Sequence, residues 1–489
     1  MRVIILLLML CPLLAPSTGF ALVGSSLPSA ASNIDLLLER AMSENLIAGG
    51  VVVVGNREGI LATASRGQVT SLPGAQLIND RTVFDVASLT KVIATTPAVI
   101  KLLEEGRINL TDPLSRWFPE FADTDKGQIT VLHLMTHTSG LSDVSVNSEQ
   151  SMQSVIRKVA AQNRRGAGTS FDYADINFIL LGEMVHRVSG ETLDAFCQEQ
   201  IYGPLGTRET QFLPPNDLLP EIAPTSGNRG GVVQDENARR LGGVAGHAGL
   251  FSSAYDLSRY ARLMLGGGLI DGKRILSEQV VAQMTTPYLC NNGHVRRGLG
   301  WDMASPFSAP KGNYFSDSSF GHTGYSGSSI WIDPEQDLFV ILLTRRTNYR
   351  NVKDFNQLRR DVSTYAAADF NSLGDDVDVA SSQVRTHVVL ASADAVKSSL
   401  RSTKVAVVST KLAARGSKVA ARGTTSVARS SQKWLKDKRA AQCGTKSKSD
   451  KQIAKAGVRH RVSRAAKVAK SESGKFHQGS RKRRALPKS

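Results

Sequence analysis

Strand-like runs stand at both ends of residues 33–370, and helical runs fill the space between them. Near the start, "IAGGVVVVGNREGILATASRG" carries four consecutive valines and a turn at Asn56 to Gly59. A β-branched run of that kind is the strongest strand signal in the chain, and the segment reads as two strands around the turn. Near the end, "SSIWIDPEQDLFVILLTRR" reads as a hairpin, with "SIWI" and "LFVILLT" as strands and "DPEQD" as the turn. Helical spacing marks Ile34 to Met42, the stretch after Ser88 up to Gly106, "ITVLHLMTHTSGL" up to Ser139-Gly140, and "SSAYDLSRYARLMLGGG". Two more helices lie in "FDYADINFILLGEMVHRVSGETLDAFCQEQIYGPLG": the first ends at Ser189-Gly190 and Thr192 caps the second. Leu213 to Gly249 is rich in Gly, Pro and Asn and reads as loop. This order predicts an α/β fold with one sheet assembled from both ends and covered by helices.

The charge is split as sharply as the secondary structure. The chain has 489 residues and a net charge of +17, yet residues 401–489 hold 26 Lys and Arg against 3 Asp and Glu. The tail therefore carries about +23 and the rest about −6. After residue 400 the aromatic residues are Trp434 and Phe476, too little apolar surface to offset ordering entropy. Residues 371–489 read as a low-complexity, disordered basic tail. At the other end, "MRVIILLLMLCPLLAPSTGFALVG" has a positive start, a short apolar core and small residues at Gly19 to Ala21. That pattern is a secretory signal peptide over residues 1–21, followed by a small-residue leader over 22–32. The apolar core is shorter than a membrane span requires, and no later stretch is long and apolar enough for one. The expected location is exported, periplasmic or secreted. After signal removal Cys197, Cys290 and Cys443 remain, an odd number that leaves room for at most one bridge, Cys197–Cys290.

Three constellations carry chemistry. In "FDVASLTKVIATTPAVIKLLEEG", Ser88 and Lys91 stand three apart, so the ammonium reaches the hydroxyl one helical turn earlier. A serine needs a base to take its proton. A lysine among Leu89, Val92 and Ile93 is partly desolvated, which lowers its pKa towards neutrality; it is either a base or a cation that makes another base more acidic. In "DYADINF", Tyr173 projects from the turn before a helix and suits a proton shuttle beside a lysine. In "FGHTGYSGSSIWID", Gly321, Gly324 and Gly327 keep one strand edge free of bulk, so that a substrate lies along His322 to Tyr325 and backbone N–H groups make an oxyanion hole. His133 and His137 are spaced for zinc, but no glutamate follows His133, so hydrogen bonding and packing is the preferred reading and no metal site is expected. His247, on a glycine loop, shapes that loop. Ser326 has no lysine one turn away, so Ser88 is preferred as nucleophile.

Together and in this order, the three motifs over residues 33–350 resemble the serine β-lactamase-like and penicillin-binding family, in its class C-like and esterase-like branch. There the order is S-x-x-K, Y-x-N, K-T-G. The resemblance implies a β-lactamase/transpeptidase-like fold, with a central antiparallel sheet flanked by helices and an all-helical subdomain. It implies that Ser88 is the acylated nucleophile, Lys91 its partner and Tyr173 the general base. It further implies that the backbone N–H groups of Ser88 and Tyr325 form the oxyanion hole and that Asp175, His322, Thr323 and Gly324 bind substrate. Two positions depart from the pattern. Asp175 stands where Asn is commoner, and His322 replaces the lysine of the third motif. Both changes make the site less positive and weaken recognition of a free carboxylate.

The expected protein is an exported serine hydrolase acting through an acyl-enzyme, first as a D,D-peptidase or cell-wall amidase, with an esterase or a class C-like β-lactamase as alternatives. It needs no cofactor and takes a small-molecule or peptidoglycan-derived substrate. The tail suits an anionic envelope polymer or membrane surface; its charge also suits phosphates, but export removes it from cytosolic nucleic acid. A catalytically inactive envelope-binding module is the alternative from another class, opposed by the presence of all three motifs.

Overall fold

A computed structural model describes residues 30–147, 151–168, 170–225, 229–288 and 295–370. The segments read as a signal peptide and a basic tail, with Cys290 and Cys443, lie outside them. The chain begins with helix α1 (Ala30–Ser43) and strands β1 (Ile47–Gly55) and β2 (Ile60–Gly67), joined through the Asn56 turn; Asn56 Oδ1 accepts the N–H groups of Glu58 and Gly59. Helices α2 (Thr96–Glu104), α3 (Ile176–Ser189) and α4 (Ala254–Leu265) follow. Strands β3 (Arg296–Arg297), β4 (Asp302–Ala304), β5 (Phe320–Thr323), β6 (Ser329–Asp333) and β7 (Leu338–Arg346) come next, then helix α5 (Val352–Phe370).

The seven strands form one antiparallel sheet in the order β2-β1-β7-β6-β5-β4-β3, so the two ends of the body meet at the β1–β7 pairing. Alternation along β1 sends Val51 and Val53 to one face and Val52 and Val54 to the other. The first pair joins a core with Ile341, Leu343, Val92 and Phe178; the second joins a core with Ile34, Leu38, Val340, Phe355 and Val362. Burial on both faces is why four valines run together without a polar break. Helices α1 and α5 cover one face. The other is covered by α4 and a helical region that includes α2 and α3.

Two helices differ from the sequence reading. The stretch after Ser88 is not α-helical throughout. A 3₁₀ turn (Ala87–Leu89) leads into a π-helical turn (Lys91–Thr95), and only then into α2. Pro97 has no N–H for the Ile93 carbonyl, and that carbonyl accepts the Tyr202 hydroxyl at 3.3 Å instead. The neighbouring Val92 carbonyl accepts Tyr260 Oη at 3.0 Å. The helix in "ITVLHLMTHTSGL" covers only Val131–Met135, because the chain turns at His137, whose φ is +55°. Leu213 to Gly249, read as loop, holds a 3₁₀ segment (Asn216–Glu221) and a short helix (Glu236–Arg240). Gly190 ends α3 in the left-handed conformation, as read from the sequence, and Ser253 caps α4 by accepting Asp256 N. Among the described residues no helix is long and apolar enough to cross a membrane.

Candidate active site

Ser88 sits directly after a strained residue. Ala87 has φ +47°, a region that costs a side-chain-bearing residue of order 1 kcal/mol or more. The buried Asp85 carboxylate holds it there by accepting Ala87 N at 2.8 Å, while its other oxygen accepts Gln234 N at 2.6 Å. Burial pushes the Asp85 carboxyl up to about 6, against those two hydrogen bonds.

Lys91 is wholly buried and makes three contacts: it donates to Ser88 Oγ at 3.0 Å and to the His247 carbonyl at 3.1 Å, and pairs with Asp175 Oδ1 at 2.7 Å. Burial is the largest influence on the ammonium and would lower its pKa. The Asp175 carboxylate and Tyr173 together outweigh it and hold Lys91 above its ordinary range. The expectation of a lysine near neutrality is thereby corrected: desolvation is present, but a carboxylate was not reckoned with. Asp175, expected to bind substrate, lines a cavity beside Ser88 and is also paired with Lys91. It stands at the N-cap of α3, yet Asp143 Oδ1 accepts the Ile176 N–H at 2.9 Å, which leaves the Asp175 carboxylate for Lys91.

Tyr173 lies within hydrogen-bonding and electrostatic reach of the Lys91 ammonium. Its ring stacks on His137 at 4.4 Å, and His137 Nδ1 accepts Ala174 N at 3.3 Å. The left-handed turn at His137 therefore places Tyr173. His133 points to a different task, accepting Thr130 N at the start of its own helix, so the two histidines serve local hydrogen bonding and packing. His247 fixes its loop through Asp235 Oδ1 at 2.9 Å, beside the Thr95 Oγ1 bond to the Gly246 carbonyl at 2.6 Å.

The far wall is β5 and the turn after it. Ser326 and Ser328 donate their hydroxyls to the carbonyls of Asp85 and Val86, at 2.7 and 2.8 Å. These bonds staple the Tyr325 turn to the residues just before Ser88 and leave Ser326 buried with a structural task. The glycines were expected to keep the strand edge free for a substrate, but the space beside Gly321 and Gly324 is filled by protein. A Cβ at Gly324 would meet the Val86 carbonyl at 2.4 Å, and one at Gly321 would meet the Trp331 ring at 2.3 Å. They permit close packing of protein on protein. His322 is buried, with Nδ1 bonded to the Thr323 carbonyl at 2.9 Å; desolvation, then Arg297 and Lys91, push its pKa well below the ordinary value, so it is neutral.

A cavity of about 260 Å³ is lined by Ser88, Tyr173, His322, Thr323, Gly324 and Tyr325. Sequence reasoning missed its remaining walls: Phe307, whose ring lies 5.4 Å from Tyr173, and the guanidiniums of Arg297, Arg346 and Arg359. Asp302 lines the same cavity and pairs with Arg297, so two guanidiniums, Arg346 and Arg359, are left there without a carboxylate partner among the described residues. A second cavity of about 560 Å³ opens from Ser88 towards Asp175, Asp235 and Ala248. Cys197 is a free, buried thiol behind the site, donating to the Ala94 carbonyl.

A match to the beta-lactamase family spans residues 34–364, about two thirds of the chain. The chain belongs to the beta-lactamase family. Among curated relatives of this family member, a protein of Salmonella agona (strain SL483) named "Putative D-alanyl-D-alanine carboxypeptidase" is 28% identical over 314 residues, 55% of this chain and 71% of that one. Among solved structures, a penicillin-binding protein homolog from Caulobacter crescentus superposes with a TM-score of 0.58 at 20% identity, covering 70% of this chain and 98% of the homolog. A class C beta lactamase from Rhodobacter sphaeroides does so with a TM-score of 0.55 at 20% identity, covering 68% and 98%. These likenesses show the β-lactamase/transpeptidase-like fold.

Proposed function

We propose that this chain is an exported serine hydrolase that cleaves an amide or ester bond through an acyl-enzyme, with peptides ending in D-alanyl-D-alanine as its leading substrate class. The observation that carries the reading is the buried Lys91 ammonium, bonded at once to Ser88 Oγ and to Asp175. Lys91 is a fixed cation here and does not act as the base. Tyr173 accepts the Ser88 proton as Oγ attacks the carbonyl carbon, and the ammonium stabilises the negative charge that moves between the two oxygens. The oxyanion is taken by the backbone N–H groups of Ser88 and Tyr325. As the tetrahedral intermediate collapses, the carbon–nitrogen or carbon–oxygen bond breaks and Tyr173 returns the proton to the leaving group. Water then attacks the acyl carbon and gives a proton to Tyr173, which passes it to Ser88 Oγ as the carbon–oxygen bond to the serine breaks, releasing the acid and restoring both groups.

The names of the curated relatives support a D-alanyl-D-alanine carboxypeptidase, and their reading implies a place outside the cytoplasmic membrane. An esterase is the second reading, favoured by the aromatic wall of Phe307 and Tyr173, whose rings lie 5.4 Å apart, beside a neutral His322. Incubation of the purified protein with muropeptides, nitrocefin and short-chain p-nitrophenyl esters separates them. Release of D-alanine as the fastest reaction is expected. Fast ester turnover without D-alanine release overturns the peptidase reading in favour of the esterase.

A further inference from the structure

One buried residue reaches three parts of the site and lines neither cavity beside Ser88. Asp85 ends the short strand Val83–Asp85, just before the strained Ala87, and is 3% exposed. Its two carboxylate oxygens serve separate segments. Oδ1 accepts Ala87 N on the nucleophile turn at 2.8 Å, and Oδ2 accepts Gln234 N at 2.6 Å, on the loop that leads into the helix Glu236–Arg240. Arg239 holds the same loop by donating Nη1 to the Val233 and Gln234 carbonyls, at 2.6 and 2.8 Å. The next residue, Asp235, accepts His247 Nε2 at 2.9 Å, and the His247 carbonyl accepts Lys91 Nζ at 3.1 Å. The main-chain carbonyl of Asp85 accepts the Ser326 hydroxyl from the Tyr325 turn at 2.7 Å. Asp85 thus ties the turn that carries Ser88 to the loop behind Lys91 and to the oxyanion turn. The charges that face its carboxylate are Asp235, which opposes ionisation, and Arg239, which favours it.

We propose that Asp85 is a positioning residue that gates acylation: its carboxylate holds Ala87 in the left-handed conformation that places Ser88, and its protonation releases Ala87. The inference rests on the acyl-enzyme reading and extends it to the control of that site. An ionised carboxylate only accepts, so it satisfies both N–H groups. A protonated one carries an O–H that faces an N–H donor, and one of the two bonds is lost. The Ala87 bond is the one that yields, because it is the longer of the two and because a residue with a Cβ leaves a positive φ downhill. The Ser88 N–H, an oxyanion donor, and Ser88 Oγ move with it. Burial puts this ionisation at about 6, so acylation slows as pH falls from 7 to 5. Stability changes in the opposite sense. The folded-state pKa lies above the ordinary carboxyl value, so ionised Asp85 is held at a cost that protonation relieves. Relative to Asp85→Asn, the wild type therefore gains stability and loses acylation rate on acidification. A carboxylate that served packing alone would move the two together.

The test follows the rate of Ser88 labelling by an uncharged fluorophosphonate on the full-length protein between pH 7.5 and pH 5, with urea unfolding at the two ends of the range. In the wild type the rate is expected to fall about tenfold with a midpoint near pH 6, in step with the ionised fraction of one group. His322→Asn is expected to keep that midpoint. Asp85→Asn is expected to be slower at pH 7.5 by about tenfold or more, as for a misplaced nucleophile, and to show no further fall down to pH 5. Ala87→Gly, which takes a positive φ without strain, is expected to restore part of the rate to Asp85→Asn. Alone, Ala87→Gly is expected to retain more of its pH 7.5 rate at pH 5 than the wild type does, a comparison that stands even where Asp85→Asn does not fold. A flat wild-type profile, an unchanged midpoint in Asp85→Asn, or an Ala87→Gly profile identical to that of the wild type overturns the gate, while labelling at Ser88 leaves the acyl-enzyme reading standing. A wild type that is never labelled at Ser88 overturns both.

Discussion

Lys91 owes its charge to a carboxylate that, in this fold, has no other work. Asp143 caps α3, so Asp175 is free to meet the ammonium at 2.7 Å. Removing one partner from such a pair leaves a buried charge uncompensated. Asp175→Asn is therefore expected to cost up to about 3 kcal/mol in urea unfolding and to lower turnover on any substrate; unchanged stability and kinetics would show that the pair is idle. The spacing of Ser88, Lys91 and Tyr173 was legible from sequence because it reflects one helix turn and a family order. The protonation state of Lys91 was not, because it depends on which of two aspartates takes the cap. A second residue-scale expectation concerns His322. Its folded pKa lies below the ordinary 6.5, so the stability it contributes is present above that pH and is lost as pH falls towards the folded value. His322→Asn removes this dependence. Between pH 7 and pH 5 the variant is expected to lose less stability than the wild type, the difference approaching about 1.4 kcal/mol per pH unit at most. Identical pH dependence in the two proteins contradicts a neutral buried His322.

The element that presents Ser88 and Lys91 is shaped by residues far along the chain. Apolar spacing revealed a helix after Ser88, but the π turn within it depends on Tyr202 and Tyr260, which satisfy the carbonyls of Ile93 and Val92. No local pattern announces those partners. The arginines of the cavity were hidden for the same reason: the sheet brings Arg346 beside Ser88 across more than half of the body, and α5 brings Arg359. Tyr202→Phe removes the hydroxyl that compensates for Pro97. It is expected to cost about 1–3 kcal/mol, the range for a buried polar group left unsatisfied, and to reduce kcat with little change in KM, since the turn carries Lys91 and not a binding surface. Unaltered kcat with lowered stability would confine Tyr202 to folding. On the opposite wall, Gly324→Ala forces a Cβ against the Val86 carbonyl and Ser328 Oγ, at 2.4 and 2.1 Å. Expected is a folded protein with at least a hundredfold lower turnover, the order seen when an oxyanion donor is lost; full activity would mean that the turn does not supply one.

At the scale of the whole molecule, strand runs at both ends and helical runs between them were enough to anticipate one sheet closed by the β1–β7 pairing, because a strand buried on both faces must read as unbroken apolar residues, as Val51 to Val54 do. The split in charge was equally plain, and we propose that residues 371–489 tether the enzyme to an anionic polymer or membrane surface of the envelope without taking part in the chemistry. A chain ended after Phe370 is expected to keep the small-substrate kinetics of the full protein and to lose salt-sensitive sedimentation with cell envelopes; a several-fold change in kinetics, or envelope binding that survives the truncation, contradicts the tether. The central claim is that Ser88 becomes acylated. Acid quenching during turnover of p-nitrophenyl acetate, followed by peptide mass mapping, tests it most directly. The account predicts one acetyl group on the peptide containing Ser88, absent in Ser88→Ala. An acetyl group on Ser326 or another residue, or one that persists in Ser88→Ala, contradicts it.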